Sequence, residues 1–162
     1  MWKRRRQNVL EPGQPAPGFV LKSLEGDPTS LEQTLQKRPV LLVFFKIGCP
    51  VCQMTFPYLE RMAANPAIQI VGISQDEAGH TRQFNQRFGV TFSTLLDASA
   101  EGYPASNAYG ITSVPSFFLV EQDGILSRCF QGFSKRDLEQ LGERMQIQPF
   151  RPDEKVPDLR PG

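Results

Sequence analysis

Residues 40–52 read Val40-Leu41-Leu42-Val43-Phe44-Phe45-Lys46-Ile47-Gly48-Cys49-Pro50-Val51-Cys52. Six consecutive apolar residues have the length and character of a central strand buried on both faces. The run ends at a Cys-x-x-Cys pair, and Val51, Met54, Tyr58 and Met62 follow at helical spacing. A strand that hands over to a helix at Cys-x-x-Cys is the arrangement of a redox-active dithiol, because positions three apart on a helix share one face. Cys49 opens the helix and Pro50 falls in its first turn, where a missing N–H costs nothing. Pro57 lies further along, and the apolar pattern beyond it predicts a kink rather than an end.

Outward from this stretch, strands and helices alternate. Phe19–Leu21 is a short strand candidate, and Thr29-x-x-Glu32 reads as a capping box for a short helix with Leu31 and Leu35 on one side. Ile68–Ile73 is a second buried strand. Ser74-x-x-Glu77 then caps a helix carrying His80, Phe84 and Phe88, which Gly89 ends. Thr94–Leu96 is a short strand, followed by an Ala/Ser/Gly-rich connection to Gly110. Ser116–Val120 and Ile125–Phe130 flank Asp123-Gly124, a hairpin signal. Ser134-x-x-Asp137 opens a last helix with Leu138, Leu141 and Met145 inward. From Pro149 the composition turns to proline and charge, and the tail is expected to fray. This alternation predicts a layered α/β domain.

The 162 residues suffice for one core. With 18 basic and 17 acidic side chains, the net charge of +1 gives no support for a nucleic-acid surface. Three cysteines do not make a structural disulfide framework. The basic start, Lys3-Arg4-Arg5-Arg6, lacks the apolar stretch of a signal peptide and reads as a solvated arm. No segment is long enough to span a bilayer. Cytoplasmic location is the resulting expectation, with export of a longer precursor left open.

Only a thiolate attacks a disulfide, and a free cysteine near pKa ~8.5 is mostly protonated at neutral pH. The N–H groups of a helix N-terminus favour the thiolate of Cys49, the more exposed of the pair. Cys52, one turn deeper, is the natural resolving thiol. Half a zinc site is the competing reading, but a closed site needs four ligands. His80 and Cys129, the remaining soft ligands, lie on other elements. No metal or other cofactor is expected. His80 reads as a packed or edge residue, and Cys129 as a small hydrophobe in the terminal hairpin. Ser113-Val114-Pro115-Ser116 is the second informative motif, because a proline at the mouth of a strand removes a ladder donor. A cis bond in a tight turn and a trans proline starting an edge strand both remain open from the residues alone.

Together, Cys49-Pro50-Val51-Cys52 after its strand, Pro57, Val114-Pro115, Asp123-Gly124, Gly132 and the capped last helix resemble the thioredoxin superfamily. Residues 12–19, Pro-Gly-Gln-Pro-Ala-Pro-Gly-Phe, and the β-α segment from Ile70 to Asp97 narrow this resemblance. They look like the TlpA-like thiol–disulfide oxidoreductases of the alkyl hydroperoxide reductase/thiol-specific antioxidant family. The similarity covers roughly residues 12–146. It implies a thioredoxin-like α/β fold, with a central mixed sheet flanked by helices and the extra β-α segment. The layout is then a basic disordered arm over 1–11, one domain over 12–148 and a Pro-rich tail over 149–162. The resemblance further implies Cys49 as attacking thiol, Cys52 as resolving thiol, a cis Pro115 beside them, and a Val114 backbone that pairs with an extended substrate. Partners are then protein disulfides or dithiols and an unidentified electron donor, with the protein acting as a monomer.

Three positions depart from the pattern. Gly48 stands where many thioredoxins carry Trp, Val43 where they carry a buried Asp, and Thr55 where some TlpA-like reductases carry Glu. Peroxiredoxins share the sheet and the Pro-Val-Cys tripeptide, which makes Cys52 as a peroxidatic thiol the rival reading. Their Pro-x-x-x-Thr-x-x-Cys pattern, aligned on Cys52, meets Phe45 and Cys49 instead of Pro and Thr. A thioredoxin-fold binding module with an incidental dithiol is the third reading.

Overall fold

The computed structural model describes residues 10–162, so most of the basic arm lies outside the described residues. The apolar run is β3 (Val40–Phe45), every residue of which is buried. Alternation along the strand divides it between two cores. Leu41, Val43 and Phe45 face one, with α2 (Pro50–Met62), α3 (Ala78–Phe88) and α5 (Lys135–Met145); Val40, Leu42 and Phe44 face the other, with α1 (Leu31–Leu35) and α4 (Pro104–Ala108). Helices on both faces are why the strand carries no polar residue.

The other strands are β1 (Val20–Ser23), β2 (Pro28–Ser30), β4 (Gln69–Ser74), β5 (Ser93–Leu96), β6 (Ser116–Val120) and β7 (Leu126–Gln131). They join β3 in one mixed seven-stranded sheet, in the order β2-β1-β5-β4-β3-β6-β7. β3, β4 and β5 run parallel, whereas β6 lies antiparallel to β3 with Val43 opposite Phe117. The Asp123-Gly124 turn connects β6 to β7, with Gly124 at φ +83° and the Asp123 carboxylate accepting from Ile125 N at 3.0 Å. Only a residue without Cβ takes that φ at no steric cost.

Aromatic packing fixes the helices over the redox end of the sheet. Phe45, Phe56 and Phe84 meet pairwise with centroids 4.5–5.2 Å apart. Truncating such a ring to Ala costs about 3–5 kcal/mol. Of the stripe read from sequence only Met62 is fully buried; Cys52, Thr55, Phe56 and Leu59 beside it are the other fully buried positions of α2, while Val51, Met54 and Tyr58 pack half-buried at its edge. α2 continues through Pro57 to Met62.

Local departures from the sequence reading have identifiable causes. The capping box of α1 is Ser30 with Gln33, not Thr29 with Glu32: Ser30 Oγ accepts from Gln33 N at 3.1 Å and Gln33 Oε1 from Ser30 N at 3.0 Å. Thr29 is taken up by β2, opposite Leu21. Ser74 does not cap α3; it ends β4, accepts from Asp76 N and bonds Thr81 Oγ1 at 2.7 Å. The connection before Gly110 contains α4, held by the fully buried Asp97. Its carboxylate accepts from Ala105 N, Ser106 N and Ser106 Oγ at 2.5–2.9 Å. The Ser134–Asp137 cap of α5 is present as read. The tail from Pro149 does not fray: β9 (Leu159–Arg160) pairs antiparallel with β8 (Phe133–Ser134), and Arg61 binds Glu154 through both guanidinium nitrogens.

Candidate active site

Cys49 is the N-cap of α2 rather than its first helical residue, in extended backbone (φ −84°, ψ 113°), with Pro50 at the first helical position. Its Sγ takes the capping role usual for a Ser or Asp oxygen, accepting from Cys52 N at 3.1 Å. The first N–H groups of a helix have no partner within it, so one of them here points at the half-exposed sulfur. Cys52 is fully buried within the α2 core. Burial, then the hydrogen bond to Cys49, push its thiol far above the ordinary range. The two sulfurs are not joined in a disulfide in this structure.

The turn that presents Cys49 is clamped from two sides. Ile47 N donates to Asp76 Oδ2 at 2.8 Å, and Gln53 Nε2 donates to Ile47 O at 2.9 Å. Within the turn, Cys49 N donates to Lys46 O at 3.2 Å. The sequence reading missed both clamps. Gln53 adjoins Cys52 in the chain, but Asp76 comes from the β4–α3 loop and carries no local signal.

On the opposite wall, the Val114–Pro115 peptide bond is cis, and the Val114 carbonyl accepts from Cys49 Sγ at 3.5 Å. Pro115 is buried, and its carbonyl accepts from Gly132 N at 2.8 Å. Cys49, Cys52, Val114 and Pro115, drawn from two distant parts of the chain, thus converge at one end of the sheet. Over residues 12–128 the sequence matches the AhpC/TSA family.

The chain belongs to the AhpC/TSA family.

Among its relatives, the thiol-disulfide oxidoreductase ResA of Halalkalibacterium halodurans is 28% identical over 130 residues, covering 78% of this chain and 72% of that protein. A secreted disulfide oxidoreductase of Mycobacterium tuberculosis, homologous to DsbE of E. coli, is 27% identical, with a TM-score of 0.64 over 79% of this chain and 94% of that one. The thioredoxin domain of a thiol-disulfide oxidoreductase from Bacteroides vulgatus shares the fold at 22% identity, with a TM-score of 0.73 over 83% of this chain and 97% of that one. Relatives, fold and paired cysteines agree: the protein is a thiol–disulfide oxidoreductase of thioredoxin-like fold.

Neither Val43 nor Thr55, two of the positions that depart from the resembled pattern, brings a titratable side chain to the dithiol. Val43 is core, and Thr55 is buried with its hydroxyl on Val51 O at 2.6 Å. Cys129 packs with the core on the opposite sheet face from the dithiol, and burial raises its thiol to about 11. His80 is exposed, lining a depression of about 250 Å³ with Ile47, Gln53 and Arg87. Among the described residues no group of three or more His, Cys, Asp or Glu converges to hold a metal, and no helix is long and apolar enough to cross a membrane.

Proposed function

We propose that Cys49 attacks disulfides of protein substrates and Cys52 resolves the intermediate, with Val114 and Pro115 forming the surface on which the substrate lies. The Cys49 thiolate attacks one sulfur of the substrate disulfide, forming a Cys49–substrate bond and expelling the other sulfur as thiolate. Cys52 then loses its proton and attacks Cys49 Sγ. This forms the Cys49–Cys52 bond and releases the second substrate thiol. Two electrons have passed to the substrate, and an external dithiol restores the enzyme by the reverse sequence.

The asymmetry of the two sulfurs carries this reading. Cys49 is half-exposed with an N–H donor on it, whereas Cys52 is 0% exposed and held protonated. A buried thiol with a raised pKa is a poor first nucleophile, which argues against Cys52 as a peroxidatic residue. Once a mixed disulfide forms, however, Cys52 lies on the adjoining helical turn and faces its target. Substituting Cys52→Ser is expected to trap covalent complexes with protein disulfides, and Cys49→Ser to abolish exchange. Faster alkylation of Cys52 than of Cys49 in the reduced protein would reverse the assignment.

A further inference from the structure

Beyond α5 the chain turns back along α2 to the dithiol. Ile147 N donates to Gly142 O at 2.9 Å, and Phe150 packs edge-on against Tyr58 of α2 at 4.9 Å and against Phe133 at 5.8 Å. Arg61 Nη1 donates to Pro149 O at 2.8 Å and to Glu154 Oε1 at 2.6 Å, and Nη2 donates to Oε2 at 3.1 Å. Lys135 N donates to Asp158 O at 3.0 Å, after which β9 pairs with β8. The last residues cross Gly132, where a side chain would run into the Arg160 carbonyl. They end at Gly162, whose backbone abuts the Val114 carbonyl so closely that a Cβ there could not be placed. The carbonyl that Gly162 covers is the one 3.5 Å from Cys49 Sγ.

The two halves of this segment differ in strength. Residues 149–156 hold through an aromatic cluster, a bidentate ion pair and Val156 against the core. Residues 158–162 are exposed, with Leu159 at 66%, and their ladder is two residues long. So short an edge pairing is marginal and opens at little cost. The segment is therefore fixed at its root and light at its tip, and the tip is extended backbone laid on the wall beside the attacking sulfur.

We propose that residues 158–162 occupy the place of an extended strand of substrate and so select disulfides by bulk. A small disulfide reaches Cys49 past the tip. A polypeptide disulfide, whose flanking backbone must lie along Val114, first displaces it. This rests on Cys49 as attacking thiol and Val114 as docking wall, and adds a specificity element to them.

The test compares the full chain with one ended after Pro157, which keeps the anchored root. Reduction of insulin and of bis(2-hydroxyethyl) disulfide is measured for both. The shortened chain is expected to gain about tenfold in kcat/KM on insulin, or ~1.4 kcal/mol, the scale of one or two backbone hydrogen bonds. The small disulfide should show no change. Equal gains on both substrates, no gain, or a loss on insulin would overturn the inference while leaving exchange intact. Absence of exchange by either chain on either substrate would overturn the reading of Cys49 on which it rests, and this inference with it. A second measurement needs no truncation: full-length Cys52→Ser carries a peptide or mercaptoethanol as a mixed disulfide on Cys49. Amide exchange at Lys135 and at Leu159 and Arg160 of β9 should speed up with the peptide only. Unchanged protection with the peptide bound would equally overturn the inference.

Discussion

Substituting Asp76→Ala tests whether the turn before Cys49 is held from outside the dithiol motif. It removes the acceptor of Ile47 N–H at 2.8 Å and leaves Gln53, on the Ile47 carbonyl, as the remaining clamp on that residue. A hydrogen bond to a charged group is worth about 1.5–3 kcal/mol net. Ile47 and Asp76 are both half-buried, so water recovers part of this, and a loss of about 1–2 kcal/mol is expected. For a chain of this length that is a Tm lower by roughly 2–8 °C. Asp76→Asn keeps an acceptor without the charge and should lose about half as much. The functional effect is separate. Cys49 N–H bonds to Lys46 O in the same turn, so loosening it spoils the alignment of Sγ with Cys52 N–H. Iodoacetamide labelling of Cys49 at neutral pH should slow in Asp76→Ala, with Asp76→Asn between it and the parent. A Tm within 1 °C of the parent together with unchanged labelling in both variants would refute the clamp.

Because burial holds Cys52 protonated, resolution of a Cys49 mixed disulfide should accelerate with pH, approaching tenfold per unit between about pH 6 and 9. Stopped-flow decay of a preformed mixed disulfide measures this, and a flat profile would contradict it. Glu154 is held down to about 2, first by the Arg61 hydrogen bonds and then by Arg151 N–H. A lowered carboxylate contributes above its unfolded value and is lost as pH falls through its folded value. The tail should therefore become susceptible to pepsin between about pH 4.5 and 2, and Glu154→Gln should show that susceptibility already at pH 5. Asp97→Ala strands buried donors of α4 and should cost about 3 kcal/mol in urea unfolding; a cost under 1 kcal/mol would mean that α4 is held otherwise.

What the sequence disclosed follows from how local each signal is. β3, the Cys49–Cys52 corner, the Asp123-Gly124 turn and the Ser134 cap are each specified within a few adjacent residues, and each stands where the residues place it, the helix at the corner starting one residue later, at Pro50. The α1 cap slipped by one because Thr29 with Glu32 and Ser30 with Gln33 fit the same pattern, and only strand pairing with Leu21 selects between them. Helix α4 was hidden because its N-terminal donors are satisfied by Asp97, across an intervening turn, rather than by a neighbouring cap. The tail misled through composition. Its order comes from Arg61, Tyr58 and Gly132, far back in the chain, which proline content cannot reveal. Asp76 escaped for the same reason, since the parallel pairing of β3 with β4 is what brings it to Ile47.

The central claim is that this dithiol exchanges disulfides with proteins through Cys49. Its most direct test is reduction of insulin by dithiothreitol with and without the reduced protein, alongside the two serine variants and a parallel hydrogen peroxide assay. Insulin reduction should be accelerated well above dithiothreitol alone, turnover should vanish in both Cys49→Ser and Cys52→Ser, and peroxide should be consumed slowly. Rapid, saturable peroxide turnover that survives Cys49→Ser but not Cys52→Ser, with no acceleration of insulin reduction, would contradict it.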